Sequence, residues 1–138
     1  MRVLGFNFTK IHASRKDKWE KNEKINTNIE LSDIEKDSID ILKQNEIIKV
    51  KFSYKILYEP NNAEVIFEGN IILDLDETLS KEMIKDWKKK EIPEKIKIPL
   101  LNLVMTKCNI KALELEEQLS MPFHLKLPRA TGIAQQSS

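Results

Sequence analysis

Two aspartates separated by one residue are the side chains of this chain best placed for chemistry. Asp74 and Asp76 end an apolar run that begins at Ile71, and Thr78 follows them. In general, a carboxylate can act as a nucleophile towards a phosphoryl group or as a general acid. Because the attack brings one anion towards another, the reaction requires Mg²⁺, further carboxylates opposite the nucleophile and a cation on the transferred phosphate.

The stretch from Asp74 to Thr78 resembles the first motif of the haloacid dehalogenase phosphotransferases, which would imply a phosphatase. The rest of the sequence supports that function poorly. After Thr78 the only aspartate is Asp86, inside a predicted helix, and the remaining 60 residues are too few for the parallel strands and crossover helices of that fold. A strand that ends at an acidic helix start explains the motif better. The late glutamates, also on a helical pattern, are Glu114, Glu116 and Glu117.

The charge balance argues against a nucleic-acid partner. Basic and acidic residues number 23 and 22, so the net charge of the 138-residue chain is only +1. Lys49, Lys51 and Lys55 lie on one face of a predicted strand, a pattern typical of a solvated face. The three lysines after Trp87 suit a helix C-terminus. The length fits one domain with a substantial core, and we expect no nucleic-acid partner.

Cysteine and histidine usage gives no case for a metal or a cofactor. The single cysteine, Cys108, excludes an internal disulfide and favours a reducing compartment. His12 and His124 are far apart in sequence and lack a nearby cysteine, so we expect them to be ordinary strand or loop side chains. No long apolar segment follows a basic start. We therefore expect a cytoplasmic protein with no membrane partner and no cofactor.

Apolar residues at every second position predict four strands in the first 76 residues. The patterns cover residues 3–13, 25–34, 46–59 and 64–76, and the turn sequence "PNNA" joins the last two as an antiparallel hairpin. Residues 35–45 are predicted to form a loop or short turn. We therefore expect a four-stranded antiparallel sheet over about residues 3–76.

After Thr78 the spacing of apolar residues becomes helical and predicts two helices over about residues 78–119. The first ends at Pro93, and a longer one begins between Pro93 and Pro99. An extended segment is expected over residues 120–138. The fold class is therefore α+β, as one domain covering residues 1–138. The apolar stripe assigned to the longer helix is Leu101, Val104, Met105, Cys108, Ala112, Leu115 and Leu119.

Together these features resemble the SecB-type chaperones, which hold unfolded polypeptides. A first strand with spaced aromatics, Phe6 and Phe8, precedes Trp19 and a strand of the "INTNIEL" kind. A long hairpin then leads to the first helix. A proline-bounded entry, "IPEKIKIPLLNLV", opens the second helix, and "MPFHLKLP" resembles the C-terminal signature of the family.

The resemblance implies a holdase without catalytic residues, assembled as a homotetramer from two dimers. Its partners would be unfolded or non-native polypeptides, bound through exposed apolar grooves. The candidate peptide-binding residues are Phe6, Phe8, Trp19, Ile29, Met83, Trp87 and Phe123. The candidate interface residues on the longer helix are Leu101, Val104, Met105, Cys108, Ala112 and Leu115.

The charge of the chain differs from that of the family, which changes the partners that we expect. Two other functions are alternatives to the chaperone. Bacterial members dock the translocation motor through an acidic sheet surface, so the near-neutral charge favours a relative without the motor, such as an archaeal form or one that guards an antitoxin. An oligomeric α+β module with one specific partner is the first alternative. The phosphatase of the opening motif is the less favoured second.

Overall fold

The computed structural model describes residues 1–21, 24–40 and 45–132. It contains four strands followed by two helices, which confirms the predicted α+β class. The elements are β1 (Arg2–Arg15), β2 (Lys24–Asp40), β3 (Asn45–Glu59), β4 (Ala63–Asp76), α1 (Glu77–Trp87) and α2 (Glu94–Gln118). No helix within these residues is long and apolar enough to cross a bilayer. Residues 133–138, part of the predicted extended segment, lie outside the described residues.

The strands form one antiparallel sheet in the order β1-β4-β3-β2, which places β1 and β2 at opposite edges. The chain therefore crosses one end of the sheet between β1 and β2. Asn62, fully buried in the β3–β4 turn, fixes this crossing. Its side-chain amide donates to the carbonyl of Glu20 at 3.0 Å and accepts from the Glu20 amide at 2.8 Å, while its own carbonyl accepts from Lys16 N at 2.8 Å.

β3 and β4 bury one face completely because their apolar residues recur at the two-residue period of a strand. The helices cover that face: α1 contacts β2, β3 and β4, and α2 contacts β2 and β3. The opposite face carries mainly polar side chains. Residues of β3 and β4 that are at most 3% exposed are Ile48, Val50, Phe52, Tyr54, Ile56, Tyr58, Val65, Phe67, Ile71, Leu73 and Leu75.

The predicted loop at residues 35–45 is wrong over residues 35–40, which continue β2 to Asp40; residues 41–44 lie outside the described part. Two bulges explain the error. The pairing of β2 with β3 shifts by one residue between Leu31 and Asp33, and again between Lys36 and Ser38. Each extra residue reverses the face on which the following side chains lie. Leu31 and Ile34 are consequently both buried although they are three residues apart.

α1 begins directly at the end of β4 because Asp76 caps it. The Asp76 carboxylate accepts from the amide of Leu79 at 2.8 Å, which satisfies one of the unpaired N–H groups of the first turn. Glu77 adds negative charge at the positive end of the helix dipole. The expected strand that ends at an acidic helix start is therefore present.

The buried stripe of α2 differs in phase from the predicted one. The helix packs on the sheet through residues spaced by four, from Ile96 to Glu116. Three predicted interface residues, Val104, Cys108 and Ala112, are 0% exposed within this stripe, so they pack in the core of the protomer rather than on its surface. The full stripe is Ile96, Leu100, Val104, Cys108, Ala112 and Glu116.

Candidate functional site

The helix-covered face of the sheet is left partly open along β1. Val3 pairs with Leu73, Phe6 with Ile71 and Ile11 with Phe67, so these β1 side chains share a face with β4 residues that are 0% exposed. Among the described residues, the main helix contacts with the sheet are those of α1 with β2, β3 and β4 and of α2 with β2 and β3, and none of them involves β1. Val3 is consequently 43% and Ile11 47% exposed, and Phe6 and Phe8 are half-buried. We call Val3, Phe6, Phe8 and Ile11 the β1 row.

Aromatic packing fixes the middle of the β1 row. The Phe6 ring stacks on Phe52 with centroids 4.9 Å apart, and Phe8 packs against Phe67 at 5.6 Å. Gly69 makes room for this arrangement. A β-carbon there would lie 2.6 Å from Cζ of Phe52 and would also collide with the carbonyl oxygen of Asn7. The rings of Phe6, Phe8 and Phe52 are therefore fixed in their positions by close packing.

α2 presents apolar side chains outward as well as inward. Ile98 is 53%, Met105 37% and Ile110 58% exposed, and Leu101 and Leu115, two of the predicted interface residues, are half-buried. Polar residues such as Asn102 and Thr106 lie between them, but apolar side chains that remain this exposed lack the contacts of those in the core. The outer face of α2, defined by Ile98, Met105 and Ile110, therefore lacks a cover in the single chain.

Beyond α2, a buried carboxylate holds the following segment against the sheet. Glu116 is 0% exposed, and its Oε2 atom lies 2.8 Å from Nδ1 of His124, whose side chain is 1% exposed. The hydroxyl group of Tyr58 is shared between Glu116 Oε2 at 2.6 Å and the carbonyl oxygen of Pro122 at 2.7 Å. One strand, α2 and the segment after it therefore meet at a single carboxylate.

The same cluster extends to a second tyrosine. Nε2 of His124 lies 2.8 Å from Oδ1 of Asn109, which also accepts a hydrogen bond from the hydroxyl of Tyr54. Burial, assisted by the nearby Cys108 and Glu116, raises the pKa of Tyr54 to about 12. The phenol therefore remains a neutral donor at physiological pH. Burying polar groups is tolerable here because they pair with one another.

The segment anchored by this cluster is apolar on its outer side. Met121 is buried, but Phe123, Leu125 and Leu127 are 41%, 42% and 45% exposed. They follow one another at two-residue spacing. The structure thus leaves three separate apolar surfaces open: the β1 row, the outer face of α2 and the segment after it.

A fourth surface lies at the opposite edge of the sheet. A cavity of about 370 Å³ opens between β2 and the α1–α2 connection. The ammonium group of Lys90 lies 4.7 Å from the centroid of the Trp87 ring. We call this cavity the β2 slot; its lining residues are Ile29, Glu30, Leu31, Trp87, Lys90, Ile92, Lys97 and Leu101.

The predicted peptide-binding residues do not form one groove. Phe6 and Phe8 lie at the β1 edge, whereas Ile29 and Trp87 lie in the β2 slot at the other edge. Met83 is 0% exposed, so its assignment to a binding groove is wrong; it lies one helical turn after Leu79 on the face of α1 that packs on the sheet.

The two remaining candidates, Trp19 and Phe123, occupy different positions. Trp19 is half-buried, with its ring edge-on to Tyr58 at 5.7 Å and the Arg15 guanidinium 4.9 Å from its centroid. Arg15 also donates to the carbonyl oxygens of Leu119 and Ser120, at 3.0 and 2.9 Å. Trp19 therefore lies at the end of the sheet where β1 and β3 come close to the residues that follow α2, while Phe123 is among the exposed residues.

The paired aspartates have structural contacts. Asp74 Oδ2 accepts from Nη2 of Arg2 at 3.1 Å and its side chain is 7% exposed, while Asp76 caps α1. In the part of the chain that the structure describes, no three His, Cys, Asp or Glu side chains converge as a metal site would require. The lysine stripe is likewise interleaved with acids: Lys51 pairs with Glu35 at 3.0 Å.

The buried Glu116 cluster and two exposed residues of α2, Ile98 and Ile110, were absent from the sequence prediction, whereas Met105 was among the predicted interface residues. One signal pointed to the cluster: the four-residue spacing from Ile96 through Ala112 continues to Glu116. An acid in phase with a buried stripe predicts a buried carboxylate that needs partners. The openness of the β1 row has no comparable sequence signal, because it depends on which strands the helices cover.

Comparison with known proteins supports the fold. No profile of a protein family matches the chain, and no curated protein matches it by sequence. A SecB-like chaperone of Mycobacterium tuberculosis, solved in complex with a ChAD peptide from the antitoxin HigA1, superposes with a TM-score of 0.55 at 11% identity. The match covers 94% of this chain and 87% of that one. The chain therefore has a SecB-like α+β fold.

Proposed function

We propose that this protein is a holdase that binds non-native polypeptides through its exposed apolar surfaces. The observation that carries the proposal is the open β1 row. Val3 and Ile11 are nearly half exposed, although the residues paired with them on β4 are 0% exposed. A sheet face that is buried over β3 and β4 but open over β1 offers a ready surface for an apolar partner.

The physical basis is non-directional burial. Apolar surface removed from water gains roughly 25 cal/mol per Å², whichever side chain supplies it. Such a surface accepts clients of many sequences. β1 is also an edge strand, so an extended client can add backbone hydrogen bonds that do not depend on its sequence. Several weak contacts along one long client would together give useful affinity.

The SecB-like fold supports a chaperone at the level of architecture. The mycobacterial neighbour was solved with a peptide from an antitoxin, which is also consistent with an interaction module that serves one specific partner. The two functions differ in the range of polypeptides that the protein would bind. A holdase suppresses the aggregation of several unrelated unfolded proteins, whereas a dedicated module ignores all of them but its own partner.

We further propose that the outer face of α2 is a subunit interface of a homotetramer. Ile98, Met105 and Ile110 are exposed there, and the half-buried Leu101 and Leu115 retain their proposed interface role. Closed oligomers bury such self-complementary apolar faces. The β1 row and the segment containing Phe123 would then remain for clients.

The proposal is tested by light scattering of denatured model proteins that are diluted into buffer with and without this chain. Suppression of aggregation for several unrelated clients is expected. Ile11→Glu places a charge in the β1 row and should weaken suppression. Leu57→Glu is the matched control. Leu57 is exposed to a similar extent, 42%, but it lies with its strand partners on the polar face of the sheet. Failure to protect any client, or equal effects of both variants, would refute the proposal.

A further inference from the structure

The β2 slot combines an apolar cavity with two lysines that form no ion pair with a carboxylate. Lys90 and Lys97 line it, and Glu30 is the one acid among its lining residues. Within the described residues neither lysine ammonium group lies within ion-pair distance of a carboxylate. Nearby lysines are paired: Lys81 with Glu77 at 2.7 Å and Lys95 with Glu82 at 3.4 Å.

The backbone holds Lys90 at the mouth of the slot. Its φ angle is 60°, in the left-handed region that non-glycine residues rarely occupy. The Lys90 amide donates to the carbonyl of Trp87 at 2.8 Å, and the Glu91 amide donates to the carbonyl of Asp86 at 3.1 Å. This hydrogen-bonded turn places the ammonium group over the Trp87 ring. The cation is thus positioned before any partner arrives.

The slot adjoins a strand edge that can pair with an extended partner. β2 is the last strand in the sheet order, so its outer edge has no neighbouring strand within the described chain. Ile29, Glu30 and Leu31 of β2 line the slot directly. A segment added along this edge would direct alternate side chains towards the cavity, and the residues between them would lie near the lysines.

We propose that the β2 slot binds extended client segments in which an apolar anchor is flanked by aspartate or glutamate. The apolar anchor would contact Ile29, Trp87 and Leu101, and the flanking carboxylates would pair with Lys90 and Lys97. This inference rests on the proposed holdase function and gives it a charge preference. Two cations against one anion favour acidic flanks, although exposed pairs gain only modest energy individually. The remaining wall, Leu31 and Ile92, is apolar.

Three synthetic peptides with one apolar core, flanked by aspartate, lysine or serine, test the preference. Binding is followed by the fluorescence of Trp87 in a Trp19→Phe background, in which Trp87 is the only tryptophan. At low salt the aspartate peptide should bind about five-fold more tightly than the serine peptide, as expected for two exposed ion pairs. The lysine peptide should bind more weakly than both. The differences should shrink in about 1 M salt.

Lys90→Glu/Lys97→Glu should reverse the order of the peptides. Lys55→Glu/Lys107→Glu, which changes the net charge equally at two exposed positions that do not line the slot, should leave the order unchanged. Circular dichroism of both variants confirms that the fold is retained. If the peptides bind with equal affinity at low salt, or if the slot variant keeps the original order, the charge preference is refuted while the holdase function stands. If no peptide binds, the β2 slot is not a binding site for such segments. If the protein also fails to suppress aggregation, the proposed holdase function is refuted as well.

Discussion

The His124 imidazole and the Glu116 carboxylate lie 2.8 Å apart, and both side chains are almost completely removed from solvent. The contact joins α2 to the segment that follows it. Glu116 also accepts from the Tyr58 hydroxyl, so removal of the carboxylate takes away the partner of the His124 Nδ1 atom and one of the two acceptors that share this hydroxyl. A buried polar group that loses its partner is costly, so this contact should dominate the stability of the region.

Glu116→Ala is expected to lower the free energy of unfolding by about 3 kcal/mol, because it breaks a buried pair and removes the partner of the His124 Nδ1 atom. Urea denaturation measures the change. Glu117→Ala is the control, since Glu117 is exposed on the adjacent position of α2. Similar losses for the two variants would contradict a structural role for the buried carboxylate.

Gly69→Ala should destabilise the protein by about 1–3 kcal/mol, because the added methyl group collides with the Phe52 ring and the backbone of Asn7. The same substitution at Gly5 is a suitable control, since a β-carbon there would meet only Cγ1 of Ile72 at 3.9 Å. Thermal unfolding followed by circular dichroism compares them. A Gly69 variant as stable as the Gly5 variant would contradict the close packing of β1 on the sheet.

Ser80→Ala should destabilise the protein more at neutral pH than in acid. The buried Ser80 hydroxyl donates to Glu46, and this bond, with a further contribution from Lys36, lowers the pKa of Glu46 below its ordinary 4.5. A carboxyl group with a lowered pKa in the folded state stabilises the fold above its unfolded pKa, and this contribution disappears as the pH falls through the folded pKa.

Urea midpoints near pH 7 and about pH 2 test this dependence, with an expected loss of about 2 kcal/mol at the higher pH and less at the lower. Ser14→Ala, at an exposed position of β1, should show little change at either pH. A loss from Ser80→Ala that is the same across the range would mean that the Glu46 charge is not involved.

Cys108 should resist thiol reagents while the protein is folded. Burial raises its pKa to about 12, so almost no thiolate is present near pH 8, and the sulfur is 0% exposed. Colorimetric thiol titration should show labelling only after denaturation. Glu117→Cys in a Cys108→Ala background places a thiol at an exposed position of the same helix, outside the proposed subunit interface, and should react rapidly. Equal rates at the two positions would contradict the assigned phase of α2.

Ile110→Asp should reduce the mass of the assembly measured by size-exclusion chromatography with light scattering. The side chain is 58% exposed on the outer face of α2, where a charge would be buried in the proposed tetramer. Leu57→Asp makes the same kind of change at a 42% exposed position on the polar face of the sheet, away from α2, and provides the control. A monomeric native protein would refute the proposed interface.

The sequence predicted those elements that local patterns determine. The hairpin of β3 and β4 follows from uninterrupted alternation, and the start of α1 follows from the acidic residues Asp76 and Glu77 at the end of a strand pattern. The far end of β2 was missed because its bulges break the alternation. On α2, apolar residues occur on every side, so their spacing alone could not identify the buried stripe.

The candidate surfaces were harder to predict because exposure is a property of tertiary packing. Phe6 and Phe8 alternate on β1 as core residues do, and only the placement of the helices over the other strands leaves them half open. Met83 illustrates the opposite case, since its helical spacing is equally compatible with a groove and with the core in which it lies. Trp87 and Ile29 share a cavity that neither local pattern indicates.

The position of His124 after α2 also bears on synthesis of the chain. Proteins emerge from the ribosome from the N-terminus, so the strands and α2 become available before the segment that contains His124. Until that segment follows, the Glu116 carboxylate has no histidine with which to pair. We expect the C-terminal end of α2 to settle onto the sheet late, as one of the last steps of folding during translation.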